Sequence, residues 1–166
     1  GKYLFFMLGD QKFGIDILKI SEIIRMVPIR PIPQAPFFIR GIINLRGSVV
    51  PVVDLRLLLQ LGKNENEQKS HIVVIEVDNG NQVVQMGLVV DSVSEVKDIK
   101  ADDIEATPAA VVNINTKYIL GIAKLDDEMI ILLDIDYVLD KKETLLVESM
   151  YQEGVEEEVE NNVEYA

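Results

Sequence analysis

The stretch GIINLRGSVVPVVD (Gly41–Asp54) decides the fold, because the chain contains a second version of it. It aligns without a gap with GIAKLDDEMIILLD (Gly121–Asp134), at an offset of 80 positions. Each copy has two apolar runs separated by a two-residue turn, which is the pattern of a β-hairpin. Each copy ends with an Asp that precedes a short run suited to a helix. Repetition of this kind indicates two related structural units.

A second repeat lies upstream of each hairpin. GIDILKISEI (Gly14–Ile23) aligns with GLVVDSVSEV (Gly87–Val96) at an offset of 73 positions. Each of these segments is preceded by a predicted hairpin, whose first strand is Tyr3–Leu8 in one unit and Ile72–Val77 in the other. Chance similarity between segments rich in Val and Ile is the alternative to duplication.

Strand signals dominate the rest of the chain. His71–Val77, Val83–Val90 and Met129–Leu133 are short, rich in β-branched residues and bounded by turn residues. The only helices predicted are short ones at Leu55–Leu61 and from Ile135. Closing so small a sheet into a barrel removes its exposed edges. The sequence therefore predicts a mainly all-β fold, with two barrel halves packed on each other.

The repeats divide the chain into subdomain 1, roughly residues 1–62, and subdomain 2, roughly residues 70–140. We treat both as parts of a single domain at residues 1–142, with strands free to cross between them. Residues 143–166 form a tail with eight acidic residues and no basic ones, which we expect to be helical at first and then frayed.

Composition excludes several classes of function. The net charge is −12, but outside the tail 20 acidic residues face 16 basic ones, so no basic surface for nucleic acid is predicted. Apolar runs fall far short of the about 20 residues that cross a bilayer. No cofactor motif occurs, and a chain with no Cys and one His offers no predicted metal site. We expect a cytoplasmic protein without a secretion signal.

Candidate catalytic groups are few. Asp54 and Asp134 occupy equivalent repeat positions before predicted helices, where a carboxylate accepts hydrogen bonds from first-turn N–H groups. We interpret both as helix caps. The alternatives are a small hydrolase that uses Asp54 or His71, and a generic barrel that binds oligonucleotides or Pro-rich peptides. Pro28–Pro36 is either a proline-motif ligand or a connector that packs on the core.

Positions where the two copies differ point to function. Arg46 and Gly47 occupy the turn of the first hairpin, where the second hairpin has Asp126 and Asp127. An Arg there is either an exposed turn residue or a planar donor for a partner's carboxylate or carbonyl group. Glu22 is either an ordinary solvent-facing residue or a charge at the rim of an apolar surface.

These segments resemble the CheW family, the adaptor domain of bacterial chemotaxis arrays. They occur in the family's order and span about Tyr3 to Leu139, and together they are far more specific than any one of them. The segments that carry the resemblance are Ile39–Leu55, Phe13–Ile17 with Ile20–Ile23, Pro33–Pro36, Gly87–Val93 and Leu132–Ile135.

The resemblance implies two intertwined, five-stranded SH3-like β-barrels with short helices and no catalytic activity. It implies an adaptor that binds the regulatory domain of a CheA-type histidine kinase and the cytoplasmic tip of chemoreceptors, and so controls the kinase. The receptor-binding positions carried over are Ile17, Ile20, Glu22, Arg46, Val89, Val93 and Val96. The kinase-binding positions are placed on strands around Gly41, Ile43 and Val50. Structural roles fall to Asp54, Asp134, Gly47 and Pro51.

The resemblance also implies a free adaptor, recruited to membrane-associated arrays and monomeric in isolation. Segments typical of the kinase (phosphotransfer, dimerisation and ATP binding) do not precede the matching region. No receiver domain follows it, which argues against the CheV type. The acidic tail is not a pattern of the family.

Overall fold

The computed structural model of the protein describes residues 1–63, 67–78, 80–108 and 118–138. Within them the chain forms eleven strands and two one-turn α-helices. The strands are β1 Lys2–Leu8, β2 Gln11–Asp16, β3 Ile20–Arg25, β4 Ile39–Leu45, β5 Ser48–Asp54, β6 His71–Asp78, β7 Val83–Val90, β8 Ser92–Asp98, β9 Ile104–Glu105, β10 Ile119–Leu125 and β11 Glu128–Leu133; the helices are α1 Leu55–Leu58 and α2 Ile135–Val138.

The strands form two sheets that exchange strands between the sequence repeats. Sheet 1 has the order β3-β6-β7-β5-β4, and sheet 2 has the order β8-β1-β2-β11-β10-β9. Sheet 1 therefore combines three strands of subdomain 1 with two of subdomain 2, and sheet 2 combines two strands of subdomain 1 with four of subdomain 2. The expected intertwined, mainly all-β fold is confirmed. Sheet 2 has six strands instead of the expected five, because the two-residue strand β9 is added at its edge.

The two parallel strand pairs are related to each other by the same offsets, 80 and 73 positions, as the two sequence repeats. In the parallel pair β5–β7, Val52 lies opposite Gly87, and in the parallel pair β11–β2, Leu132 lies opposite Gly14. A Cβ atom at Gly14 would lie only 2.8 Å from Leu132 Cδ2, and one at Gly87 only 2.7 Å from Ile72 Cγ2. Both glycines thus permit close packing where a strand of one repeat joins the sheet of the other.

Each sheet curls around a core of its own. All five strands of sheet 1 supply apolar side chains to one cluster, so this sheet encloses barrel 1. Strands β1, β9, β10 and β11 of sheet 2, together with Ile99, supply the cluster that barrel 2 encloses. The barrel 1 cluster contains Ile24, Ile43, Val50, Val52, Ile72, Val74 and Val89, and the barrel 2 cluster contains Tyr3, Phe5, Ile99, Ile104, Ala123, Ile130 and Leu132.

The largest core lies between the barrels. It collects Leu4 and Phe6 from β1, Val73 and Ile75 from β6, and Leu88 from β7, with many neighbours. Strand β6 is apolar on both faces because Ile72 and Val74 fill barrel 1 while Val73 and Ile75 fill the inter-barrel core. Burial on both faces explains its unbroken apolar run.

The two repeated hairpins have the same turn geometry. Arg46 and Gly47 have φ values of 51° and 86°, and Asp126 and Asp127 have values of 48° and 65°. Positive φ at both central residues is typical of a type I′ turn, which matches the twist of the flanking strands. The side-chain oxygen of Asn44 also accepts a hydrogen bond from the N–H of Gly47, at 2.8 Å.

The first helix is shorter than predicted. The sequence pattern predicted Leu55–Leu61, but α1 ends at Leu58. The N–H of Leu61 donates to the carbonyl of Arg56, and the N–H of Gln60 donates to that of Leu57, with Gln60 at φ 60°. This is a Schellman C-cap, which ends a helix through one left-handed residue. The predicted tail at residues 143–166 and the end of subdomain 2 lie outside the described residues.

We expect Leu88→Ala to lower the free energy of unfolding by about 2–5 kcal/mol, because it opens a cavity in the inter-barrel core. Val83→Ala changes an exposed residue of the same strand and should cost less than about 0.5 kcal/mol. Urea unfolding followed by far-ultraviolet circular dichroism measures both values. Equal costs for the two variants would contradict the placement of Leu88.

Candidate protein-binding site

An ion pair joins the two edges of sheet 1. Glu22 lies on β3 and Arg46 lies in the turn after β4, and these are the first and last strands of that sheet. The guanidinium Nη2 of Arg46 donates to Glu22 Oε2. This hydrogen bond raises the pKa of Arg46 further above its ordinary value. Arg46 remains exposed, so its other N–H donors face solvent.

Barrel 2 carries a different set of charges at the equivalent place. The positions equivalent to Glu22 and Arg46 are Glu95 and Asp126, which would repel each other. Lys97 lies between them, with its Nζ 3.7 Å from Glu95 Oε1 and 3.9 Å from Asp126 Oδ2. The two hairpin tips therefore carry opposite charge, and the exposed Arg belongs to barrel 1 alone.

Two edge strands carry half-exposed apolar side chains beside the inter-barrel core. On β3, Ile20 and Ile23 are paired with Ile75 and Val73, which face that core. The equivalent residues of β8 are Val93 and Val96, paired with Phe6 and Leu4. We call these four residues (Ile20, Ile23, Val93 and Val96) the apolar strips.

Each strip has a partly buried member and an exposed member. Ile20 and Val93 pack against the inter-barrel core. Ile23 and Val96 are 41% and 45% exposed. Ile23 is absent from the predicted site residues, although the repeat alignment pairs it with Val96 and could have identified it. Apolar surface of this kind, flanked by charges, is typical of protein-binding sites.

The segment before β3 extends the first strip. Ile17 is half-buried and begins the 3₁₀ turn Ile17–Lys19, whose next residue, Leu18, is largely exposed. The carboxylate of Asp16 accepts a hydrogen bond from the N–H of Leu18, at 2.9 Å, and so caps this turn. Ile17 and Leu18 therefore adjoin Ile20 on the same edge of the molecule.

Two ion pairs hold the helices against the points where the chain crosses between sheets. Lys19, between β2 and β3, pairs with Asp136 of α2 at 2.9 Å, and this hydrogen bond raises the pKa of Lys19. Asp91, between β7 and β8, pairs with Arg56 of α1 at 2.8 Å and also accepts from the N–H of Gly9 at 2.7 Å. The side chains of the second pair are 17% and 18% exposed, against 39% and 42% for the first.

Four predicted contact residues have no exposed side chain. Val89, Ile43 and Val50 are 5%, 4% and 1% exposed and belong to the core of barrel 1. Gly41 is buried beside the carbonyl of Arg30. A partner therefore cannot touch these side chains directly, which corrects their placement. The kinase contact stays a prediction for strands β4 and β5, where the outward residues are Ile42, Asn44 and Val49.

Carboxylates lie at the start of both helices. Asp54 Oδ1 accepts from the N–H of Leu57 at 3.2 Å, and Asp134 Oδ1 accepts from the N–H of Asp136 at 3.1 Å. Asp54 Oδ2 also accepts from Arg40 at 3.3 Å. Pro51 is buried in β5, one residue before the parallel pairing with β7 begins.

The proposed hydrolase chemistry has no support in this geometry. Both carboxylate oxygens of Asp54 have partners, so this group is not a free acid or base. His71 lies at the start of β6, opposite Arg25 of β3. Among the described residues, no group of three or more His, Cys, Asp or Glu is arranged to hold a metal ion. None of the described helices combines the length and the apolar character that a membrane span requires.

Comparison with known proteins adds a family to this geometry. Residues 2–143 match the family model described as a CheW-like domain. The chain belongs to the CheW-like family. It is 39% identical over 150 residues to the chemotaxis protein CheW of Klebsiella aerogenes, covering 90% of this chain and 87% of that protein. It is 34% identical over 138 residues to the chemotaxis protein CheW of Rhizobium meliloti, covering 83% and 86%.

A solved structure of the CheW-like family agrees with the fold. The crystal structure of scaffolding protein TtCheW from Thermoanaerobacter tengcongensis superimposes with a TM-score of 0.74 and 38% sequence identity. The match covers 84% of this chain and 87% of that one. The expected SH3-like β fold is thereby confirmed.

We expect Arg56→Met to cost about 1–3 kcal/mol, because it removes charged hydrogen bonds from a mostly buried site. Lys19→Met, which breaks the more exposed pair, should cost roughly 0.2–1 kcal/mol because solvent screens it. The raised pKa of Lys19 means that its contribution is present at neutral pH and lost only as the pH rises through that value.

Urea unfolding at low and high salt tests both ion pairs. High salt should abolish the cost of Lys19→Met and leave most of the cost of Arg56→Met. A cost of Arg56→Met that salt removes completely would contradict the burial of that pair.

Proposed function

We propose that the protein is a non-enzymatic chemotaxis adaptor that couples chemoreceptor tips to a CheA-type histidine kinase by binding both at once. Membership of the CheW-like family carries this proposal. Relatives named chemotaxis protein CheW and a solved structure named a scaffolding protein support it. The adaptor works in the cytoplasm, is monomeric alone, and controls the kinase within receptor arrays.

The apolar strips and Arg46 form the receptor-binding surface. A receptor tip is a helical hairpin, and helices dock through apolar side chains spaced three and four residues apart. The apolar strips offer such side chains an apolar surface beside the inter-barrel core. Buried apolar contacts at the centre supply most of the affinity, and charges at the rim set orientation. Glu22 holds Arg46 in place at this rim.

The kinase-binding surface is the outward face of the hairpin β4–β5. Ile42 and Val49 are half-buried there, and Asn44 is exposed. The side chains of Ile43 and Val50 fix this hairpin from inside barrel 1. A face separate from the apolar strips allows kinase and receptor to bind together, as an adaptor requires.

Substituting Arg46→Glu should abolish binding of a receptor-tip fragment with the fold intact, because Glu22 and the new carboxylate repel each other and the donor group is lost. The double variant Glu22→Arg with Arg46→Glu restores the ion pair with reversed positions. If Arg46 itself contacts the receptor, the double variant should be stable but still fail to bind. Isothermal titration measures binding, and urea unfolding measures stability.

Full recovery of binding in the double variant would show that Arg46 acts only within the fold. Unchanged binding in the single variant would remove Arg46 from the receptor surface. Asp126→Lys changes the equivalent tip of barrel 2 and serves as the matched control, with receptor binding expected to stay as in the natural protein.

Ile23→Lys should weaken receptor binding by about tenfold or more, because it places a charge in a desolvated apolar contact. Val83→Lys changes a residue of greater exposure outside the strips and should leave binding within about twofold. Equal affinity of both variants for the receptor-tip fragment would exclude Ile23 from the contact.

A further inference from the structure

Four of the five Arg residues of this acidic protein lie in one segment. Residues 23–53 contain four Arg and no Asp or Glu. Arg40 pairs with Asp54 and Glu67, and Arg46 pairs with Glu22. Arg25 and Arg30 are exposed and form no ion pair with any described residue. They are therefore available to an acidic partner.

The fold holds Arg25 and Arg30 on the same edge of barrel 1. Arg25 ends β3, and Arg30 exchanges two backbone hydrogen bonds of 2.9 Å with Ile42 of β4. Met26 and Ile29, between them, pack into the core of barrel 1. Five residues of chain separate the two Cα atoms by at most about 17 Å. We call this pair the arginine edge.

Acidic residues occupy the two equivalent positions of barrel 2, although Lys2 and Lys100 are also exposed on that edge. Arg25 lies opposite His71, as Asp98 lies opposite Lys2 in the matching pair β1–β8. Arg30 pairs with Ile42, as Glu105 pairs with Ile122, the residue 80 positions later. The molecule therefore contains an internal control for any charge-dependent contact of the arginine edge.

The last described helix, α2, lies near the arginine edge. Asp136 of α2 contacts Lys19, the residue before β3, and β3 ends at Arg25. From Lys19 to Arg25 the chain spans at most about 20 Å. Residues 139–152 can extend to about 45 Å, so the five acidic residues between Glu153 and Glu160 can reach both arginines.

We propose that the acidic tail, residues 143–166, docks on the arginine edge of its own chain. Opposite charge provides the attraction, and tethering raises the local concentration of the tail to the millimolar range. The docked tail adjoins Ile23, and it therefore competes with ligands for the first apolar strip. This docking goes beyond the adaptor role, and its test uses neither receptor nor kinase.

The full chain carries no Cys, so a single introduced thiol gives a unique labelling site. A nitroxide attached to Gly154→Cys should broaden amide signals near Arg25 and Arg30, each losing roughly half its intensity or more. Signals of Asp98 and Glu105 should keep theirs. The effect should be present at about 0.01 M salt, where the Debye length is about 30 Å, and absent at about 1 M, where it is about 3 Å.

Variants identify the groups involved. Arg25→Gln with Arg30→Gln should abolish the broadening, and Lys2→Gln with Lys100→Gln, which changes two exposed lysines of the second barrel's edge, should preserve it. Absence of broadening, or equal broadening at Asp98 and Glu105, would overturn the proposal. Broadening in a mixture of spin-labelled and isotope-labelled chains would assign the contact to a second copy and would also overturn it.

Discussion

The parallel pairings of β5 with β7 and of β11 with β2 are the constraint on which the other features depend. Each places a strand of one repeat inside the sheet of the other, so neither barrel is complete without both halves of the chain. Gly14 leaves room for Leu132 across the pair β11–β2, and Gly87, in the pair β5–β7, leaves room for Ile72 of the neighbouring β6. Exchange of strands also creates the inter-barrel core, and with it the edge strands β3 and β8 that border the candidate site.

On this symmetric scaffold the charges are asymmetric. Arg25, Arg30 and Arg46 of barrel 1 stand where barrel 2 has Asp98, Glu105 and Asp126. Packing requires the same apolar positions in both repeats, whereas exposed positions tolerate either sign of charge. A duplicated fold can in this way present two unlike surfaces, and unlike surfaces are what an adaptor needs to bind two different partners.

The sequence predicted the hairpins, the repeat and the position of Asp54 because each depends on local pattern and turn chemistry. It did not predict which face of a strand is exposed where both faces are apolar. The resemblance implies contacts at Ile43, Val50 and Val89, but these side chains fill barrel 1. Alternation of polar and apolar residues, the usual guide to strand orientation, is weak in such strands. The end of α1 was missed because Gln60, rather than Gly, takes the left-handed position.

An adaptor must bind receptor and kinase at the same time. Sedimentation velocity of the labelled protein, mixed with a receptor-tip fragment and a kinase regulatory domain separately and then together, tests this requirement most directly. We predict a complex with each partner alone and a larger, ternary complex in the full mixture. Displacement of one partner by the other, or binding to neither, would contradict the account.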